Sequence, residues 1–132
     1  MRFVLLDSSG ELVTVGTIEE INEFWSEFSD DYGGDDALEN MKMFILGEDP
    51  VSFEYNEDII IIDSDESDFV LFDADDVAIH VGDVDFIKRL YKKQYDDYYE
   101  DYGDYSFFNV ETIYWYAVQA SFSVSDGVIT IN

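Results

Sequence analysis

The stretch Arg2-Phe3-Val4-Leu5-Leu6-Asp7-Ser8-Ser9-Gly10-Glu11-Leu12-Val13-Thr14-Val15-Gly16-Thr17-Ile18-Glu19-Glu20 decides how the chain is read. Arg2–Leu6 is a run of branched and aromatic residues and reads as a strand. Asp7-Ser8-Ser9-Gly10 is turn chemistry, and Glu11–Val15 reads as a second strand, so the chain opens with a hairpin. Thr17-Ile18-Glu19-Glu20 fits a capping box, with Thr17 as N-cap and Glu20 three residues into the helix. The spacing predicts a helix running to Ser29, with Ile18, Ile21, Phe24, Trp25 and Phe28 as its buried stripe.

Working outward, Asp30–Asp36 reads as a loop. A second short helix is predicted over Asp36–Leu46, stopped by Gly47 with Pro50 beyond. Val51–Tyr55, Asp58–Ile62 and Phe69–Phe72 read as strands. Ile59-Ile60-Ile61-Ile62 offers apolar residues to both faces, which predicts a central position in a sheet. Val77–Val81 reads as another strand. Asp83 can cap a third helix through about Tyr99, with Phe86, Ile87, Leu90, Tyr91, Tyr95 and Tyr98 as its stripe. Val110–Ala120 suits a helix capped by Asn109 or the strand Thr112–Val118, and its β-branched and aromatic content favours the strand. Ser125-Asp126-Gly127 signals a turn before the strand Val128–Ile131. No internal repeat and no linker stands out. The expectation is one compact α+β domain over residues 1–132, mainly antiparallel sheet with two or three helices.

Composition bounds the function. The 132 residues hold 32 Asp and Glu against 6 Lys and Arg, a formal net charge of −26. Disorder is excluded, because 47% of residues are hydrophobic and 17% aromatic, whereas charged disordered chains lack apolar surface to bury. With no Cys, neither a disulfide nor a thiolate metal site can form. The apolar runs are far shorter than the ~20 residues of a membrane span, and the start of the chain is too short an apolar run for a secretory signal. No membrane partner is expected, and the expected location is cytoplasmic. Direct binding to nucleic acid is disfavoured too, since a polyanion repels an acidic surface. Duplex DNA carries one charge per ~1.7 Å, so the net charge of this chain equals that of about 13 base pairs. Self-repulsion at such density weakens the compact state. A fold that tolerates it either lives in high salt or uses the field.

The acids fall into four groups. Glu19, Glu20, Glu23 and Glu27 continue into Asp30 and Asp31. Asp63, Asp65, Glu66 and Asp68 form the second group, and Asp73, Asp75 and Asp76 the third. Asp96, Asp97, Glu100, Asp101 and Asp104 form the fourth, which is interleaved with Tyr98, Tyr99 and Tyr102. Carboxylates recur about 5–6 Å apart on a helix face and about 6.6 Å apart on a strand face, so either scaffold presents them in rows. Any single group is ordinarily a solvated face; four together point to a basic protein surface as partner. Tyrosine adds stiff contact area with a polar tip, suited to stacking on Arg while Asp and Glu pair with it. Lys88, Arg89, Lys92 and Lys93 are read as intrahelical partners of Asp85, Asp96 and Asp97.

Catalytic and metal chemistry find no foothold. Asp63–Asp68 fails as a calcium loop, because Asp68 stands where Gly is needed for the turn and Ala74 where the bidentate Glu belongs. His80 is the only His, so no triad or His-based metal site can be assembled, and it reads as a half-buried strand residue. There is no phosphate-cradling Gly loop. No cofactor, no metal and no enzymatic reaction is expected.

In size, charge and the four acidic groups between Glu19 and Asp104, the chain resembles the DNA mimics of phages and mobile elements. These include anti-restriction proteins, anti-CRISPR proteins and inhibitors of DNA-repair glycosylases. The resemblance is one of composition and clustering, without a shared motif, and carries over no individual residue role. It implies a protein that fills the DNA- or RNA-binding channel of a nuclease, such as a CRISPR effector or a restriction enzyme, in the cytoplasm of a host cell. Two other readings stand beside it: an acidic immunity protein or chaperone for a different basic partner, and a halophilic domain whose acids serve hydration.

Overall fold

Asp7 and Asp73 close two hairpins with the same bonds. In the computed structural model, which describes residues 1–102 and 110–132 (of 97–102 the backbone alone), Asp7 Oδ1 accepts the amides of Ser9 and Glu11, both at 2.9 Å. Asp73 Oδ1 accepts those of Asp75 and Val77 at 2.9 and 3.0 Å. Each loop passes through a positive φ, 83° at Gly10 and 60° at Asp76, a region open to glycine and tolerated by aspartate.

In chain order the elements are β1 (Phe3–Leu6), β2 (Leu12–Gly16), α1 (Ile18–Tyr32), a 3-10 helix (Asp35–Asn40), β3 (Lys42–Leu46), β4 (Ser52–Asn56), β5 (Ile59–Asp63), β6 (Asp68–Phe72), β7 (Ala78–Asp83), α2 (Val84–Tyr102), β8 (Thr112–Ala120), β9 (Phe122–Ser125) and β10 (Val128–Ile131). The fold is α+β, and its strand ladders are antiparallel. The chain forms two compact units: Met1–Glu48 with Tyr116–Asn132, and Asp49–Trp115.

In the first unit β1 pairs with β2 on one side and β3 on the other, and β3 pairs with the end of β8 through Leu46 opposite Tyr116. The helix α1 lies against β2 and β10. Its capping box is complete: Thr17 Oγ1 accepts the Glu20 amide at 3.2 Å and Glu20 Oε1 accepts the Thr17 amide at 2.9 Å. Gly33, at φ 102°, ends it. Ile21 and Trp25 carry the buried stripe into a core with Phe3, Leu5, Met43 and Ile129. The hairpin β9–β10 is joined by the two residues Asp126 and Gly127, both at positive φ, as a type I′ turn requires.

In the second unit β6 pairs with β7 and with the start of β8. The helix α2 lies against β7 and β5, and Asp83 Oδ1 caps it by accepting the Phe86 amide at 2.7 Å. Ile87 and Tyr91 enter a core with Ile60, Phe69, Leu71 and Ile113. The hairpin β4–β5 completes that core through Ile60, with Phe53 and Ile62 packed against it.

The two units are built alike, which overturns the expectation of no internal repeat. Phe3–Tyr32 aligns with Phe69–Tyr98 without a gap, and ten of the thirty positions are identical, among them Leu5 and Leu71, Asp7 and Asp73, Gly16 and Gly82, and Ile21 and Ile87. The register agrees residue for residue: Phe3 faces Gly16 as Phe69 faces Gly82, and the ladders slip at Leu5/Leu6 and Leu71/Phe72. Gly16 and Gly82 share a cause. A Cβ at Gly16 would stand 2.9 Å from the Glu20 Cβ, and one at Gly82 would overlap the Phe86 ring, so the helix start packs directly on strand backbone. The repeats run Phe3–Asp63 and Asp68–Ile131, and each donates its last hairpin away. The first repeat's β4–β5 completes the second unit, and the second repeat's β9–β10 completes the first.

Two further expectations fail. Residues 42–46 are a strand, not the end of a helix: Lys-Met-Phe-Ile-Leu alternates exposed Lys42, buried Met43 and half-buried Phe44, and Met41 breaks the 3-10 turn with an extended φ of −95° and ψ of 157°. The strand Ile59–Ile62 is not central. It pairs with β4 alone, with Ile60 fully buried and Ile59 51% exposed, because only one face of a two-stranded ribbon can lie on a helix. Helix α1 runs one turn past Ser29, and β8 resolves the ambiguity of Val110–Ala120 in favour of the strand. Asn109 lies outside the described residues.

Because both units draw on both repeats, cutting the loop Ser64–Ser67 should not release either repeat. Limited proteolysis there should give two fragments that co-elute in native size exclusion and separate only in denaturant. Fragments that part on native elution would contradict the exchanged hairpins.

Candidate partner-binding surface

Helix α1 lays its charge out as a row. Glu19, Glu23, Glu27 and Asp31 follow one another at i, i+4, and Glu20 and Asp30 flank them; all six are exposed. At 100° per residue the six fall within an arc of about 120°, and they cover about 18 Å of axis. That is one charge per ~3 Å, against 3.4 Å along one strand of duplex DNA. The helix contains no Lys or Arg. Asp30 and Asp31 sit in its last turn, where the helix dipole disfavours anions. This row therefore works against helix stability at the C-terminal end, and like charges at i, i+4 add to the cost.

Aromatic rings border the row. Phe24, Phe28 and Tyr32 form a tilted ladder, with Phe24 4.9 Å from Phe28 and 6.0 Å from Tyr32 between ring centroids. Phe28 and Tyr32 are each 38% exposed. They offer flat faces on which a guanidinium can stack beside the carboxylates it pairs with. The sequence reading placed Phe28 in the buried stripe and gave Tyr32 no role. No local signal separates them from the buried stripe, since periodicity gives a direction around the helix and nothing more.

The six acids are not equivalent. Glu20 is committed to its cap: the hydrogen bonds from the Thr17 backbone and hydroxyl, with a smaller contribution from Arg2, hold its carboxyl below the usual range. Glu19, Glu23, Glu27, Asp30 and Asp31 remain as the outward-facing set.

The other predicted residues belong to the second unit. Asp63 ends β5, and Asp65 and Glu66 lie in the following loop, where the Glu66 amide bonds Ser64 Oγ at 3.1 Å. Asp73 spends its Oδ1 on its own turn, while Asp75 and Asp76 are exposed at the loop tip. Asp68 faces Asp83 across the β6–β7 ladder. Burial, and then the Asp83 charge, push its carboxyl above the usual range. Asp96 is exposed on α2. Asp97, Tyr98, Tyr99, Glu100, Asp101 and Tyr102 lie on helical backbone whose side chains fall outside the description, and Asp104 lies outside the described residues. Thus the structure gathers the first group on one helix face, and places the second and third at strand ends and loops of a different unit.

Helix α2 is the internal control for α1. At the positions of Asn22, Glu23, Ser26 and Glu27 it carries Lys88, Arg89, Lys92 and Lys93. Lys92 bridges Asp58 at 2.8 Å and Asp96 at 3.3 Å, which lowers the Asp58 carboxyl and raises the lysine. The Asp96 pair matches the sequence reading; the Asp58 pair ties α2 to the β4–β5 turn. The same scaffold thus holds a mixed-charge helix in one unit and a purely acidic one in the other. Tyr95 packs in the second core beside Tyr91, and burial, then Tyr91 and Glu111, push the Tyr55 phenol to about 12. His80 is half-buried on β7, and burial lowers its imidazole.

Among the described residues, no three His, Asp or Glu side chains converge as a metal-ligand set, and no helix is long and apolar enough to cross a membrane. No family model, curated protein or solved structure matches the chain.

Two predictions follow from the charges. The folded state binds the Asp68 proton more tightly than the unfolded chain does, so its ionisation costs stability as pH rises through the unfolded value of about 3.9. Asp68→Asn should therefore raise Tm at pH 7 and lose that gain below about pH 4, read by thermal melts across pH. Glu27→Lys, opposite in charge to its i−4 and i+4 neighbours Glu23 and Asp31, should stabilise by about 0.5–1 kcal/mol in low salt. An unchanged or lower stability would show that the acidic row is not self-repelling.

Proposed function

We propose that this protein is a nucleic-acid mimic. It binds the basic channel of a nucleic-acid-processing defence enzyme, such as a CRISPR effector nuclease or a restriction enzyme, and keeps DNA or guide RNA out. The observation that supports this reading is the α1 face. Its carboxylates match the linear charge density of a DNA strand, cost the helix stability, and share their helix with no Lys or Arg, whereas the equivalent helix in the second unit carries four basic residues. The carboxylates meet Lys and Arg that otherwise meet phosphate, and Phe28 and Tyr32 add short-range packing that salt does not screen. Steering by the net charge of −26 makes association fast and salt-sensitive. The protein performs no reaction of its own in this role, and the compartment that suits it is the host cytoplasm.

The test is competition. In low salt, stoichiometric protein should displace labelled DNA or guide RNA from its target nuclease, with affinity falling steeply as salt rises. Glu23→Lys and Glu27→Lys should each weaken inhibition about tenfold, through like-charge contacts with the channel, while leaving the fold as stable or more so. Failure to displace nucleic acid from any nuclease tried would remove the reading. Capture of a basic partner with no nucleic-acid groove would replace it with an immunity or chaperone role. A chain that folds only in molar salt would assign the acids to hydration.

A further inference from the structure

We propose that two copies of this chain can exchange repeats, giving an interlocked dimer in which each unit is completed by the partner copy. The basis is that neither repeat closes its own core. Ile129 of the second repeat fills the first unit's core with Ile21 and Trp25, and the Asn22 side chain grips it, accepting its amide at 2.7 Å and donating to its carbonyl at 2.9 Å. Ile60 of the first repeat fills the second unit's core with Ile87 and Tyr91, and the Tyr91 hydroxyl donates to the Glu57 carbonyl at 2.9 Å. All these contacts form equally well whether the two repeats belong to one chain or to two.

Only the connection Ser64–Ser67 records which is the case. It is four residues long and spans about 13 Å when extended. The bonds it has to offer are few: the Glu66 amide to Ser64 Oγ at 3.1 Å, and the Val84 amide to the Ser67 carbonyl at 3.1 Å. Short connections between exchangeable elements favour exchange, because closing on the same chain constrains them most. Two terms oppose it. The connection sets a millimolar effective concentration for closure within one chain, and pairing two chains doubles a charge of −26. Concentration overcomes the first and salt the second, since screening shortens from about 10 Å at 0.1 M to about 3 Å at 1 M. The inference does not depend on the binding role proposed above.

The experiment is refolding from urea at about 1 μM and about 1 mM, in 0.1 M and 1 M sodium chloride, followed by dilution and light scattering on a sizing column. The expected result is a species of twice 15.3 kDa only in the concentrated samples, more abundant at 1 M salt, that persists for hours after dilution because separation requires unfolding. Deleting Asp65 and Glu66 should raise its share at least twofold, and inserting six Gly and Ser residues after Asp65 should lower it. Monomer at every concentration, or a dimer that dissociates within seconds of dilution, would overturn the proposal; should the shortened chain not fold, the unaltered chain's concentration series decides.

Discussion

Everything in this molecule rests on one packing requirement: a helix lying on a β-hairpin needs a second ribbon to seal its core, and that ribbon comes from the other repeat. Ile60 and Ile129 are the seals. Each is at most 2% exposed, and each sits where the neighbouring residues of its own strand face outward. Full burial of one such side chain is worth about 1.5–3 kcal/mol. Neither ribbon could keep its shape alone, since two strands without a covering face are marginal in water. Stability is thus shared across distant parts of the chain.

The duplicated scaffold also separates structure from charge. Positions that point inward are held nearly constant between repeats: Phe3 and Phe69, Leu5 and Leu71, Ile21 and Ile87, Trp25 and Tyr91. Two outward positions in the middle of the helix have changed sign, Glu23 against Arg89 and Glu27 against Lys93, while its two ends stay acidic in both copies. Since the hairpin loops are closed by the same bonds in both units and each helix is capped at the equivalent position, Thr17 and Asp83, the acidity of α1 beyond the Glu20 of its capping box is not demanded by the fold. A helix of mixed charge sits on the same framework in the second unit. The acid row is thereby isolated as a surface property, which is why it carries the functional proposal and the loop acids, Asp73 among them tied to its own turn, do not.

Much of this was legible in the residues. The capping box at Thr17 and Glu20, the Asp7 and Asp126-Gly127 turns, the cap at Asp83 and the alternating strands all act locally, so local spacing reveals them. The failures are those where distant contacts decide. Lys42–Leu46 has a helix-compatible composition until β1 and β8 claim it from both sides. Ile59–Ile62 looks central because four isoleucines suit two buried faces, yet the ribbon has a single core to cover. The repeat stayed hidden because its loops are written differently, Ser8-Ser9-Gly10 against Ala74-Asp75-Asp76, and because the middle of its helix is acidic in one copy and basic in the other; the strand positions, the turn aspartates and the helix end, Asp30-Asp31-Tyr32 against Asp96-Asp97-Tyr98, preserve it. Of the site, the α1 acids could be read from their spacing. The exposure of Phe28 and Tyr32 could not, because periodicity gives a direction around a helix but not where its cover ends.

The discontinuity of the first unit has a consequence for the order of assembly. The second unit is one unbroken stretch, Asp49–Trp115, so on a ribosome it has all its parts as soon as Trp115 has emerged. The first unit is begun by Met1–Glu48 yet lacks Ile129 until the whole of the second unit has been made. Helix α1 therefore waits on the nascent chain with its apolar side uncovered while a later-born neighbour is already complete. Vectorial synthesis, which ordinarily lets the earlier segment fold first, is here reversed between the two units, and the anionic face is set in place after the second unit is complete.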